Sequence, residues 1–173
     1  MTPKVGATDY RIEALGSDHD RVDFCCGVPE LDAYIQRHAG QDQKRKLAAV
    51  FILTADGKTV AGFYTLSAHS TLAADLPPEL AKGLPRFPLP MTLLGRMAVK
   101  ESLHGLGLGQ FLLLDALERA WRGSHQVASW AVVVDAKAGA RSFYLKHGFS
   151  PFPAWPDRLV MPMKVIERMF EPS

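Results

Sequence analysis

Gly105, Gly107 and Gly109 alternate with His104, Leu106 and Leu108. An apolar, strand-like run over residues 93–99 precedes them, and a helix-like run over residues 110–121 follows. Glycines at this spacing let a backbone approach a ligand closely, because no Cβ stands in the way. Their N–H groups, beside a helix N-terminus, suit a phosphate. Taken alone, the pattern also fits a flexible turn before a helix. A dinucleotide site of the Gly-x-Gly-x-x-Gly kind asks for an acidic residue about 20 positions on. Asp135 ends the next apparent strand, but it lies 26 positions past Gly109. The full Gly-x-x-x-x-Gly-Lys-Ser/Thr of a nucleoside-triphosphate loop is missing. What remains is a strand, a Gly-x-Gly-x-Gly turn, a helix, a strand, a helix carrying Phe143-Tyr144, and then Gly148-Phe149.

That order resembles the GCN5-related N-acetyltransferases (GNAT family). Their pyrophosphate motif, Gln/Arg-x-x-Gly-x-Gly/Ala, corresponds here to His104-Gly-Leu-Gly107-Leu-Gly109, with His104 where the family has Gln or Arg. The second marker reads Ala140-Arg-Ser-Phe143-Tyr144-Leu-Lys-His-Gly148-Phe149. Further stretches are similar to one subfamily, the acetyltransferase toxins of bacterial type II toxin–antitoxin systems, which acetylate aminoacyl-tRNA. They include Phe24-Cys-Cys-Gly-Val-Pro-Glu-Leu-Asp-Ala-Tyr34, Gln41-Asp42, Gly62-Phe-Tyr-Thr-Leu-Ser67, Leu84-Pro-Arg-Phe-Pro-Leu-Pro90 and Leu94-Gly-Arg-Met-Ala-Val99. The similarity covers about residues 24–163.

The resemblance implies acetyl-CoA as cofactor. Its pantetheine arm would pair with the backbone of Met97, Ala98 and Val99, and its pyrophosphate would lie on His104, Gly105, Leu106, Gly107, Leu108 and Gly109. Tyr144 becomes the candidate general acid that protonates the departing thiolate. A phenol with a reference pKa of about 10 is protonated at neutral pH and can donate. No general base stands out; Glu101 and Asp135 lie near the motifs in sequence, each also readable as a turn or cap residue. The α-amine of an aminoacyl ester is less basic than a lysine side chain, so part of it is already neutral near pH 7. The resemblance also implies a ribbon-helix-helix antitoxin, operator DNA bound only through the antitoxin complex, and a homodimer.

An RNA acceptor would need phosphate contacts. Arg86 and Arg96 are the first candidates, followed by Lys44, Arg45 and Lys46. Arg96 is equally readable as the partner of a core carboxylate. Lys44, Arg45 and Lys46 end a predicted helix, where cations also complement the dipole. Two other readings stay open: a small amine or a protein as acceptor, and a regulatory acetyl-CoA-binding module with little activity, which His104 favours.

These residues need elements to hold them. Residues 10–15 alternate as a strand. Pro29 opens a helix, with Leu31, Tyr34, Ile35, His38 and Ala39 at helical spacing, ending near Lys46. Residues 48–54 and 59–68 read as a hairpin about Asp56-Gly57. Residues 70–90 hold Pro77, Pro78, Pro85, Pro88 and Pro90 and read as a long loop with one helical turn over residues 77–82. Then come a strand (93–99), a helix (108–122), a strand (127–134), a helix (136–147) closed by Gly148, and a strand (159–163). The family fold matching this order is α/β (α+β), with a mixed, mostly antiparallel sheet between helices. No role is assigned to residues 165–173.

The 173 residues suit a single domain, 1–173, and 47% hydrophobic content is ample for a core. No apolar run approaches the roughly 20 residues of a membrane helix, and the first residues lack a signal-peptide core. A cytoplasmic protein with no membrane partner is expected. Cys25 and Cys26 read as small core hydrophobes. The six histidines lack metal-ligand spacing, so no metal is expected. A net charge of +2 does not by itself announce nucleic-acid binding.

Overall fold

The computed structural model describes residues 9–137 and 139–172. The chain divides into two compact units. One combines the chain up to Leu66 with Arg96–Ala116, and the other combines Ser67–Gly95 with the chain from Leu117 onward. The strands β1 (Arg11–Ala14), β2 (Ala49–Thr54), β3 (Gly62–Thr71), β4 (Leu89–Val99), β5 (Ala131–Asp135), β6 (Ser150–Pro151) and β7 (Arg158–Pro162) follow the sheet order β1-β2-β3-β4-β5-β7-β6.

In the first unit, β1 (Arg11–Ala14) and β2 (Ala49–Thr54) pair antiparallel, Ile12 opposite Leu53. β2 pairs antiparallel with the start of β3 (Gly62–Thr71), Phe51 opposite Tyr64. Their inward faces meet a helical run made of α1 (Pro29–Ala33), a π-helical stretch (Tyr34–His38) and α2 (Ala39–Lys44). Pro29 occupies the first turn, where a missing N–H costs nothing. Phe24, Leu31, Tyr34, Ile35, Ile52 and Phe63 form the core between helix and strands. Gly62 is needed for close approach: a Cβ there would lie 2.8 Å from the Ala98 carbonyl and 3.1 Å from Leu112.

The Asp56-Gly57 hairpin forms, though its second strand begins at Gly62 rather than residue 59. Asp56 accounts for the delay. Its carboxylate accepts the N–H groups of Lys58 and Thr59 at 2.8 and 2.7 Å, and the Thr59 hydroxyl at 2.8 Å. Gly57 takes φ +81, which L side chains rarely adopt.

In the second unit, β4 (Leu89–Val99) runs parallel to β5 (Ala131–Asp135) over Met91–Leu94. β7 (Arg158–Pro162) pairs antiparallel with β5 and with the two-residue β6 (Ser150–Pro151). The proline-rich stretch carries a 3₁₀ turn (Ala73–Asp75) and α3 (Pro78–Ala81). Leu76, Leu80, Ala81 and Leu84 pack with Leu89, Met91, Ala131, Val133, Phe152 and Val160.

Other elements also differ from the sequence expectation. β4 starts at Leu89 and so includes Pro90, tolerated near a strand's first residue. α4 (Leu108–Gly123) unwinds through a terminal turn, with N–H groups of Ser124 and Val127 bonded to Ala120 and Gly123 carbonyls. Val127 is therefore exposed, and β5 begins only at Ala131. α5 (Arg141–Lys146) starts late because a turn precedes it, with Gly139 at φ +81 and the Ala140 N–H on the Lys137 carbonyl. Finally, α6 (Met163–Phe170) follows β7, burying Ile166 and stacking Phe170 on Trp121 at 5.9 Å.

Candidate active site

In the first unit, the expected cofactor residues form one continuous path. Met97, Ala98 and Val99 end β4, with Ala98 buried. Two bonds hold the strand's exit: Lys100 N–H to the Ala61 carbonyl and Glu101 N–H to the Cys25 carbonyl, each 2.8 Å. A 3₁₀ turn (Glu101–Leu103) delivers His104. Its Nε2 lies 2.8 Å from the Val99 carbonyl. A carbonyl only accepts, so Nε2 carries the hydrogen and donates it. His104 thus ties the glycine turn to the strand that precedes it.

Gly105 and Gly107 take φ +84 and +79. No atom lies within 4 Å of a Cβ built at either position, so conformation, not space, selects glycine. The Gly107 carbonyl accepts the Phe111 N–H at 3.2 Å, which starts α4. Leu108 is buried and anchors that start, while Leu106 is exposed. The first N–H groups of a helix lack intrahelical acceptors and carry the positive end of its dipole. No acidic residue lies in the first turn of α4 to compete for them. Two left-handed glycines and a helix start with no acidic residue in its first turn fit a pyrophosphate.

In the second unit, α5 presents Tyr144, which is buried. Its ring meets Phe143 and Phe149 edge-on, with centroids at 5.2 and 5.5 Å. Gly148, at φ +100, ends the helix, and the Phe149 N–H returns to the Tyr144 carbonyl at 3.1 Å. This six-to-one closure is why Gly-Phe follows Phe-Tyr. Burial pushes the Tyr144 phenol well above its usual pKa, so it holds its proton across the neutral range.

Of the two carboxylates near the motifs, Asp135 is engaged: Arg158 donates to it from Nε at 2.8 Å and from the terminal nitrogen at 3.4 Å. Glu101 is exposed, its carboxylate beside Cys25 and Gly27.

The candidate RNA contacts separate. Lys44, Arg45 and Lys46 are exposed at the end of α2, Lys46 in the left-handed region at φ 62. Arg86 is exposed in the proline-rich stretch of the second unit. Arg96 lies over the Tyr34 ring, 3.7 Å from its centroid, a cation–π seat in place of a carboxylate partner. Tyr34 donates to Asp42 at 3.1 Å, and burial pushes its phenol up to about 12. Cys26 is buried, its thiol also pushed up to about 12 by burial, while Cys25 is exposed.

The sequence reading missed a 2.6 Å hydrogen bond from the Tyr64 hydroxyl to Asp115, which ties α4 to β3. No local pattern signals a pair 51 residues apart. It also missed His69, whose Nε2 is buried, and Trp155, which is 47% exposed. Among the described residues, no helix is long and apolar enough to cross a membrane, and no group of three His, Cys, Asp or Glu side chains is placed to hold a metal ion.

An apolar strand feeding a left-handed glycine turn at the start of a helix defines a class of protein with a phosphate-sized backbone cradle. Residues 46–151 match the acetyltransferase (GNAT) domain, and the chain belongs to that family. It is 30% identical to "Probable toxin TacT" of Sinorhizobium fredii, over 95% of this chain and 97% of that protein. It is 35% identical to "tRNA-acetylating toxin" of Mycobacterium tuberculosis, over 86% and 89%. Among solved structures, it superposes on AtaT complexed with acetyl-methionyl-tRNAfMet with TM-score 0.86 and 30% identity, covering 94% of this chain and 99% of that one. AtaTR bound with AcCoA gives 0.83 and 30%, covering 95% and 99%. The KacTA–DNA complex gives 0.78 and 26%, covering 93% and 98%. The fold is accordingly the mixed, mostly antiparallel acetyltransferase sheet with its helices.

Proposed function

We propose that this chain, acting as one acetyltransferase domain over residues 1–173, transfers acetyl from acetyl-CoA to the α-amine of aminoacyl-tRNA and so blocks translation as the toxin of a toxin–antitoxin pair. The observation that carries the reading is the likeness to a tRNA-acetylating toxin over nearly the whole chain, joined to an intact glycine turn. Acetyl-CoA supplies the thioester whose carbonyl the neutral amine attacks. The backbone of Gly105–Gly109 holds the pyrophosphate, and His104 keeps that turn against the end of β4. The backbone of Met97–Val99 aligns the pantetheine arm and offers an N–H to the developing oxyanion. Tyr144, protonated at neutral pH, would supply the proton that the departing thiolate needs, and solvent would take the one that the amine loses.

A ribbon-helix-helix antitoxin neutralises the enzyme and carries the complex to operator DNA. The toxin works in the cytoplasm as a homodimer. Likeness to the AtaTR and KacTA assemblies supports the antitoxin and DNA parts of this reading.

Purified protein, radiolabelled acetyl-CoA and total charged tRNA test it, beside deacylated tRNA. Label is expected on charged tRNA alone, as an N-acetyl group stable after the ester is cleaved. Absence of label on charged tRNA, with acetyl-CoA still bound, would move the acceptor to a small amine or a protein.

A further inference from the structure

The second unit contains a groove of about 250 Å³ that no part of the proposed mechanism uses. Thr71, Asp75, Phe152, Trp155 and Arg158 line it. Trp155 is displayed on the turn between β6 and β7, 47% exposed, while Phe152 in the same turn is 1% exposed.

That turn is stiff. The Phe152 N–H bonds the Arg158 carbonyl and the Arg158 N–H the Trp155 carbonyl, at 2.8 and 2.9 Å. Arg141 donates to the Pro156 carbonyl at 2.8 Å, and the Ala136 N–H to the Asp157 carbonyl at 2.8 Å. Pro153 and Pro156 fix two more backbone angles. The fold therefore spends rigid structure on a tryptophan that it does not bury.

Its surroundings are equally set. The Arg158 guanidinium lies 5.7 Å from the Trp155 ring centroid, held there by Asp135. Thr71 is 7% exposed, and its buried hydroxyl has no hydrogen-bond partner among the described residues. A buried hydroxyl without a partner is costly, and Thr71 belongs to the wall of this groove. Leu72 continues the surface into a second groove rimmed by Arg86, and Phe87, 63% exposed, precedes the Pro88 that borders the first.

A half-exposed indole tilted against Phe152 at 6.3 Å, a clamped guanidinium, a buried hydroxyl and a carboxylate match an unstacked nucleotide: ring on ring, with hydrogen bonds to base edge and ribose. Because Asp135 neutralises Arg158, a bare anion is a poorer fit. We infer that this groove receives an unpaired nucleotide of the tRNA 3′ end, its base stacked on Trp155 and hydrogen-bonded to Thr71. The inference rests on the tRNA reading above.

Full-length protein is titrated, by fluorescence anisotropy, with deacylated tRNA that is either intact or stripped of its unpaired 3′ nucleotides. Wild type is expected to prefer intact tRNA. Trp155→Ala is expected to weaken intact tRNA by roughly 5- to 100-fold and leave stripped tRNA unchanged, as loss of one base–aromatic stack predicts. Trp155→Phe keeps most of the preference. Thr71→Val weakens intact tRNA by about 3- to 10-fold without lowering the melting temperature, because it removes a hydroxyl that has no partner among the described residues. A Trp155→Ala protein with normal melting, normal acetyl-CoA binding and an undiminished preference would overturn the inference. So would a change in amino-acid preference alone, which would give the groove to the esterified side chain. If wild type acetylates charged tRNA yet binds both tRNAs equally, only this inference fails; if it binds neither, the tRNA reading falls with it.

Discussion

At the scale of single residues, burial gives Tyr144 and His69 opposite behaviour, because one is an acid and the other a base. Burial disfavours the phenolate of Tyr144, so the group stays protonated across the neutral range. Tyr144→Phe is expected to keep the ring packing against Phe143 and Phe149, and with it the melting temperature and acetyl-CoA affinity. Turnover should fall by about 10²-fold or more, the usual worth of a general acid. A variant with near-wild-type turnover would reduce Tyr144 to a packing residue. His69, whose buried Nε2 has no partner among the described residues, has its pKa lowered by burial and then by Arg158, with Asp135 opposing. The folded chain thus refuses a proton that the unfolded chain accepts. This contribution to stability is complete above about pH 6.5 and is lost as pH falls through the depressed folded value. Thermal melts from pH 7.5 to 5 should show His69→Gln declining less than wild type; identical declines would mean that His69 is not the titrating group.

At the scale of elements, the glycine turn was legible because glycine alone tolerates what the backbone does there, and sequence records that requirement directly. Its consequence is measurable. Gly107 has room for a side chain but takes φ +79. Gly107→Val should cost about 1–2 kcal/mol of stability from backbone strain and weaken acetyl-CoA sharply, since the N–H groups no longer converge. Gly107→Asn, which tolerates the left-handed region, should recover part of both. Calorimetric titration beside thermal melts checks this; equal acetyl-CoA affinity in all three proteins would remove Gly107 from the cradle. Other elements were legible only in outline. Leu31, Tyr34, Ile35 and Ala39 mark a buried helix face whether or not one turn widens, so the π-helical stretch left no trace in the spacing. Residues 127–130 are apolar enough for a strand, yet the unwinding end of α4 claims Val127 first. Met163, Ile166 and Phe170 do carry a helical period, but eight residues are too few for it to stand out. Trp155 and His69 were illegible for a different reason. Their importance lies in hydrogen bonds that are absent or made by distant backbone, and no local pattern encodes those.

At the scale of the whole molecule, net charge is a poor guide and the placement of charge a better one. A net charge of +2 averages 20 basic against 18 acidic residues. Lys44, Arg45 and Lys46 nonetheless stand together, exposed, at one helix end, and Arg86 stands exposed in the proline-rich stretch. Arg96 is a weaker candidate for RNA, because its guanidinium is already seated on Tyr34. Each phosphate neutralised by a side chain releases counterions, so affinity falls with salt at a slope of about 0.7–0.9 per contact on logarithmic axes. Replacing Lys44, Arg45 and Lys46 with Ala should therefore flatten the salt dependence of tRNA binding by up to about three such increments, and Arg86→Glu by about one. Trp155→Ala should lower affinity at every salt concentration and leave the slope alone, since stacking releases no ions. Titrations from low to physiological salt distinguish the two effects. If the triple variant and Arg86→Glu both reproduce the wild-type slope, the RNA backbone follows neither patch, and the contacts must come from other basic residues such as Arg122 or Lys137.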